Sequence, residues 1–443
     1  MEAQPVIKEV LKKVKPSKKE EEHEITLAEK IKETLEKALP KNYSARITGS
    51  VAKGTFLKNS ADLDIFILVP KNVKKEKLPE IVKTAVKKAF PKNKNEVKYA
   101  EHPYVRLYGF DRKVDIVPAY DITFIEERAS AVDRSILHTG YIKGKIKDWQ
   151  KDEVRLLKQF LKVHDLYGAE IRVQGFSGYL CELLIIKYGD FISLLKSACN
   201  WSFPIAIDIE KYYQSDKEIV ERFRTQNITV VDPVDKNRDV SAIVSDEVIY
   251  RFIVIARKFI RKPSKTFFER KEFDSRRVKS YLKRHANLFS LSFNKPEIVD
   301  DILWGQLRKL GKRIVKYLED NDFTILDYHI RCRKNKVVIL LESLEKELPN
   351  KIPVMGPQII FEKHVEAFKK VHRNSVLFIK NGRMIATEDR RIMKFENALK
   401  EFIKNGKDLP CYLQKNIKNS KISSKADLGI LKEYFFWRKV FRE

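Results

Sequence analysis

Gly49-Ser50 is followed after eleven residues by Asp62-Leu63-Asp64, and Asp115 lies further on within Val114-Asp-Ile-Val117. These are the residue types of a site that handles phosphate. Residues two apart in a strand share a face, so the spacing predicts that Asp62 and Asp64 project together while Leu63, Ile65 and Ile67 face a core. Two carboxylates side by side repel unless a cation lies between them. Mg²⁺ is the natural cation, because it takes a few carboxylates together with phosphate oxygens. Asp115 on a neighbouring strand would complete a two-metal site. One ion would lower the pKa of an attacking hydroxyl, and the other would hold a triphosphate and steady its pyrophosphate leaving group. At Gly49 and Ser50, a turn of small residues lets backbone N–H groups and a hydroxyl come close to phosphate oxygens. Lys53 adds positive charge a turn later. A lone Asp-x-Asp is more often a pair of surface aspartates; here it opens an apolar strand, and Asp115 repeats the design.

The surrounding pattern supplies elements that position these residues. Leu27, Ile31, Leu35 and Leu39 form one helical stripe over Ile25 to Leu39, which Pro40 ends. Ser44 to Ser50 reads as a strand running into the small-residue turn, and Leu63 to Val69 is a strand of strong β-formers. Leu78 to Phe90 is amphipathic; Val97 to Leu107 and Lys113 to Val117 read as strands, the latter ending at Pro118. Residues 1–22, mostly Lys and Glu, read as a lead-in without chemistry. Helices then dominate, at Lys151 to His164, Ser177 to Tyr188, Phe191 to Cys199 and Val240 to Ile260, with a strand-like Ile228 to Val231 stopped by Asp232-Pro233. From Phe323 the pattern turns to β, with helices near Phe361 to Val371 and Ile392 to Ile403. The expected fold class is a multidomain α+β chain. Its expected parts are a catalytic head at 1–140, a helical neck or central domain at 141–260 and a body at 261–320. An α+β tail at 321–405 and a C-terminal helical segment at 406–443 packing on the body follow.

Composition narrows the partners. The formal charge is +28, from 89 Lys and Arg against 61 Asp and Glu. An excess of that size favours a polyanionic partner. No stretch approaches the ~18 uncharged apolar residues of a membrane span, and residues 1–30 lack the apolar core of a signal peptide. Four scattered cysteines with no Cys-x-x-Cys pair argue against a disulfide framework or a zinc site and fit the cytoplasm.

The Gly-Ser turn with its Asp-x-Asp and third Asp resembles the signature of the DNA polymerase β-like nucleotidyltransferases. Within that superfamily, Arg46 to Pro70 resembles the catalytic segment of the archaeal-type (class I) CCA-adding enzymes. Ala100-Glu-His-Pro-Tyr-Val105, Val132-Asp-Arg-Ser-Ile-Leu-His138 and Tyr167-Gly-Ala-Glu170 do so too. So do Gly175-Phe-Ser-Gly-Tyr-Leu-Cys-Glu-Leu183 and Val231-Asp-Pro-Val-Asp235. The resemblance is clear from about residue 25 to 260 and weaker through Met355-Gly-Pro357 and the tail.

It implies a polymerase β-like head and addition of C, C and A to the 3′ end of tRNA from CTP and ATP. Asp62, Asp64 and Asp115 would be the catalytic, metal-holding carboxylates; Asp62 departs mildly from the Glu common there. Ser50, Lys158 and Tyr167 would grip the triphosphate beside Gly49 and Lys53. Ser135, where many relatives carry Thr, and His138 would meet the sugar, and Arg238 would read the base. His102 would lie near the primer end, and the tail would hold the tRNA elbow. Relatives include homodimers. The competing expectation is another template-independent RNA nucleotidyltransferase, a poly(A) polymerase or an oligoadenylate synthetase.

Overall fold

The computed structural model describes residues 3–438 except 61, 100–102, 131, 271–275, 277–279, 281–286, 334, 408 and 426. The chain divides into two compact units, residues 1–271 and 272–443.

The first unit opens with helix α1 (Ala3–Val14), whose Ile7, Val10 and Val14 are buried. The charged lead-in is therefore a packed helix, because one apolar stripe threads its Lys and Glu. Helix α2 (Lys18–Glu36) starts earlier than its apolar stripe suggests. Ser17 and Glu20 form a reciprocal capping box that sets its first turn. Strand β1 (Ser44–Thr48) leads into the short helix α3 (Gly49–Lys53), then β2 (Leu63–Val69) and α4 (Leu78–Ala89). The expected strand over Val97 to Leu107 is instead a hairpin, β3 (Asn95–Tyr99) and β4 (Pro103–Leu107), paired from Tyr99↔Pro103 outward. Residues 100–102 fall outside the described residues, and His102 with them.

Strand β5 (Val114–Tyr120) runs through Pro118 rather than ending there. Its pairing with β4 stops at Val105↔Ile116, while pairing with β2 continues to Val69↔Tyr120. Asp121 donates its N–H towards β2 and Tyr120 donates away from it, so the missing N–H of Pro118 faces the side where the ladder has ended.

The sheet order is β1-β2-β5-β4-β3, with β2 and β5 parallel and the other neighbours antiparallel. Leu63, Ile65 and Ile67 of β2 face a core closed by Ile31 and Leu35 of α2 and Val82 and Val86 of α4. On the opposite face, Phe66 and Leu68 meet Ile136 of α5 (Arg134–Lys145).

Helices α6 (Asp148–Val163), α7 (Gly178–Tyr188) and α8 (Phe191–Cys199) follow. Next come β6 (Ile205–Ile207), α9 (Asp216–Phe223), the hairpin β7 (Ile228–Asp232) and β8 (Asp235–Asp239), and α10 (Asp246–Arg261). Phe160, Phe191, Phe259 and Phe268 knit the helical part together in edge-to-face and tilted pairs.

In the second unit, β9 (Asn287–Asn294), β10 (Ile325–Arg333), β11 (Lys336–Ser343) and β15 (Lys421–Ser423) form a sheet of order β10-β11-β9-β15. Helices Asp300–Glu319 and Phe395–Asn405 close its core on one face. Tyr434 and Phe435 pack on Leu288 and Leu340 on the other. A second sheet joins β12 (Lys351–Gln358), β14 (Arg383–Asp389) and β13 (Val376–Lys380) in that order. β12 contains Pro353, Gly356 and Pro357 and is an edge strand with an irregular register after Met355, where such residues are tolerated. Among the described residues no helix is long and apolar enough to cross a membrane.

Candidate active site

The register of the five-stranded sheet sets Thr48, Asp64, Asp115 and Arg106 in one row across β1, β2, β5 and β4. Asp64 and Asp115 are direct partners on parallel strands, so their side chains leave the same face. Asp62 precedes β2 and is exposed, yet its charge reaches Asp64. Burial first, then the negative charges of Asp115 and Asp62, push the Asp64 carboxyl up to about 7. Gly49, at φ +69°, sits against it: a Cβ there would lie 2.2 Å from Oδ2 of Asp64. Ser50 follows, half-buried, in the first turn of α3. Arg106 donates from Nε and Nη2 to the two oxygens of Asp115, each at 2.7 Å, and this bidentate pairing raises the guanidinium pKa.

The donor set, all carboxylate oxygen, suits a hard divalent cation, and such a cation would relieve the crowding that raises Asp64. Among the described residues no group of three His, Cys, Asp or Glu side chains could hold a metal ion. A cation at Asp62, Asp64 and Asp115 therefore needs further oxygens, as Mg²⁺ does when one or two carboxylates and substrate phosphates share it.

Behind the Gly49–Ser50 turn lies a buried ionic cluster. Glu182 of α7 accepts from Lys53 Nζ at 2.5 Å, from Thr55 Oγ1 at 2.6 Å and from Lys158 Nζ at 3.3 Å. Lys158, on α6, also donates to the carbonyl and hydroxyl oxygens of Thr55. Burial would raise the Glu182 carboxyl, but Lys53 and Lys158 outweigh it and hold it low. Burial pulls the Lys158 ammonium down, and Lys53 adds to that pull. Two ammoniums against one carboxylate leave a positive charge in excess. Gly178, which begins α7, brings Lys158 and Tyr167 together: a Cβ there would lie 3.1 Å from the Tyr167 hydroxyl and 3.7 Å from Lys158 Nζ.

A third group lies on α5, α7 and the β7–β8 hairpin. Lys53 Nζ is 5.9 Å from the ring centre of Tyr179, which stacks on His138 at 3.9 Å. His138 Nε2 and Arg238 Nη1 both reach Oδ2 of Asp232, at 2.8 and 2.7 Å. The Tyr179 hydroxyl and the Val234 N–H donate to Oδ1 at 3.0 and 3.1 Å. Burial would raise the Asp232 carboxyl, but His138 and Arg238 hold it down to about 2. Burial keeps His138 below the usual imidazole range. Ser135 lies three residues before His138 on α5, on the same face.

The residues picked from the sequence thus fall into three adjoining groups. Gly49, Ser50, Asp62, Asp64 and Asp115 make the first; Lys53, Lys158 and Tyr167 the second; Ser135, His138 and Arg238 the third. Sequence reasoning passed over the residues that hold them: Arg106, Glu182, Tyr179 and Asp232. A signal existed for two. Glu182 interrupts the apolar run Leu180 to Ile186 and Asp232 ends the apolar strand Ile228 to Val231, and a carboxylate in such a place demands partners. Arg106 becomes visible only through the β4–β5 register.

Three family models match the chain. They are "Nucleotidyltransferase domain" over residues 28–138, "tRNA nucleotidyltransferase, second domain" over 152–269 and "CCA-adding enzyme, C-terminal domain" over 284–424. The CCA-adding enzyme of Archaeoglobus fulgidus is 35% identical over 410 residues, spanning 91% of this chain and 90% of that one. The CCA-adding enzyme of Methanocaldococcus jannaschii is 34% identical over 446 residues, with 97% of each covered. That of Methanosarcina acetivorans is 32% identical over 429 residues, covering 93% and 90%. With these matches running through both units, the chain belongs to the family of CCA-adding enzymes.

Proposed function

We propose that this CCA-adding enzyme extends the 3′ end of tRNA by C, C and A without a nucleic-acid template, using CTP and ATP and releasing pyrophosphate. The observation that carries the reading is the facing pair Asp64 and Asp115 with Gly49 pressed against Asp64. Asp62, Asp64 and Asp115 would hold Mg²⁺ only together with substrate phosphate oxygens, and when bound it supplies charge neutralisation at the triphosphate and activation of a hydroxyl. Ser50, Lys53, Lys158 and Tyr167 bind and orient the triphosphate, and the excess positive charge around Glu182 favours it there. Ser135 and His138 meet the sugar, and Arg238 turns its fork to the base. The tRNA elbow falls to the tail. The head at 1–140, neck at 141–260, body at 261–320, tail at 321–405 and closing segment at 406–443 divide this labour in the cytoplasm, in a monomer or a homodimer.

The test is extension of a tRNA transcript lacking CCA with CTP alone, ATP alone and both together. Two additions with CTP and a third only when ATP is present are expected. Long A tails would move the chain to the poly(A) polymerases, and no extension would leave a tRNA-binding protein.

A further inference from the structure

We propose that Asp232 is a specificity-determining positioning residue, closed as a hydrogen-bond acceptor so that Arg238 meets the incoming base as a donor alone. The inference rests on Arg238 facing the base. An ionised carboxylate has about four acceptor positions, two on each oxygen. All four on Asp232 are taken: Tyr179 and the Val234 N–H on Oδ1, His138 and Arg238 on Oδ2. Asp232 is fully buried, whereas the Arg238 side chain is 33% exposed.

Arg238 binds Asp232 through Nη1, and a guanidinium has five N–H groups and no acceptor. Asp235, the neighbouring carboxylate on the hairpin, is buried, accepts from Arg128 and the Asn237 N–H, and has Arg134 beside it in an ion pair. The chain of contacts from Lys53 through Tyr179, His138 and Asp232 to Arg238 leads away from the triphosphate end. A nucleotide lying along it would bring its base to the Arg238 end.

The chemistry of the four bases gives this arrangement a consequence. On the pairing edge, C and A present an unprotonated ring nitrogen, N3 or N1, which accepts. U and G present a ring N–H at the same place, which needs an acceptor. A fixed donor beside a closed Asp232 suits C and A and leaves the N–H of U or G unpaired, a loss of roughly ten- to a hundredfold for each such group. A carboxylate free to accept would erase that difference.

The experiment measures kcat/KM for CTP, ATP, UTP and GTP separately, on a tRNA transcript lacking CCA, for the full chain and three variants. Asp232→Asn removes the charge that holds the fork. Tyr179→Phe keeps the ring on His138 and opens one acceptor position on Oδ1. Arg238→Ala removes the reader itself. Asp232→Asn is expected to narrow the CTP-to-UTP and ATP-to-GTP ratios by about tenfold or more, and Tyr179→Phe to narrow them in the same direction by less. A uniform loss across all four nucleotides, with the ratios kept, would assign Asp232 a structural role and overturn the proposal. If Asp232→Asn does not fold, the ratios in Tyr179→Phe decide alone. Ratios that narrow in Arg238→Ala but hold in the other two would refute the role of Asp232 and leave the base-facing reading intact. Ratios unchanged in Arg238→Ala would remove that reading instead.

Discussion

Replacing Gly49 by alanine probes the tightest contact in the site. Gly49 lies at φ +69°, and its missing Cβ would stand 2.2 Å from Oδ2 of Asp64, where real contacts keep beyond 3.0 Å. Either Asp64 or the turn has to retreat, by roughly 1 Å, and a reacting group misplaced by that much loses on the order of a hundredfold in rate. The left-handed backbone adds about 1–2 kcal/mol for a residue with a Cβ. In a unit of this size that corresponds to a fall of roughly 2–4 °C in unfolding midpoint. Single-turnover addition of the first C, at saturating tRNA and CTP, should therefore slow by about a hundredfold while tRNA affinity is kept. Full rate in a stably folded Gly49→Ala variant would refute the reasoning. Lost stability with normal rate would show that the contact shapes the turn and not the carboxylate.

Asp115→Ala should abolish nucleotide addition and leave tRNA binding intact in a gel-shift titration; loss of binding would make this carboxylate structural. Glu182→Gln leaves Lys53 and Lys158 buried without a full counter-charge, a loss of about 3–5 kcal/mol read by thermal unfolding. Inorganic triphosphate should restore part of it, and an unchanged midpoint would refute the cluster's importance. Asp232 is held at about 2 against an ordinary 3.8. A depressed carboxylate stabilises above its unfolded pKa and stops doing so as pH falls through the folded one. Its contribution of about 2 kcal/mol should be complete above pH ~4 and vanish towards pH ~2, so the stability gap between wild type and Asp232→Asn should close over that window. A gap that does not change with pH would contradict this.

How far the sequence reaches depends on whether a feature is local. Gly49, Ser50, Asp62 and Asp64 lie within one strand–turn–strand stretch, so their spacing carries the chemistry directly. Leu63 to Val69 and the helices Leu78–Ala89, Asp148–Val163 and Gly178–Tyr188 announce themselves through period and composition. Features set by pairing between distant segments are another matter. Arg106 grips Asp115 only because β4 lies beside β5 in one register, and β5 can run through Pro118 only because β4 has already ended. Strand β12 hides behind Pro353, Gly356 and Pro357, since an edge position excuses what a central strand forbids. The capping box at Ser17 and Glu20 was legible as Ser-x-x-Glu, yet the charge run around it masked the signal.

The carboxylates that hold cations share one logic. Asp115 holds Arg106, Glu182 holds Lys53 and Lys158, and Asp232 holds Arg238 and His138. A site built for a polyanion needs cations, and cations left without partners in a protein interior would either lose their protons or swing into solvent. A carboxylate behind each group offsets part of that loss and orients the group before substrate arrives, so that reorganisation is not deferred to the moment of reaction. The cost is that each carboxylate also competes for the cation it positions. The balance differs from group to group: Glu182 leaves an excess positive charge for the triphosphate, whereas Arg106 engages both oxygens of Asp115. A metal ion at Asp115 would compete with Arg106 for the same negative charge, so weakening that pairing by Arg106→Lys should alter the Mg²⁺ concentration needed for half-maximal addition more than it alters tRNA affinity. Equal effects on both would place Arg106 in the scaffold and outside the metal equilibrium.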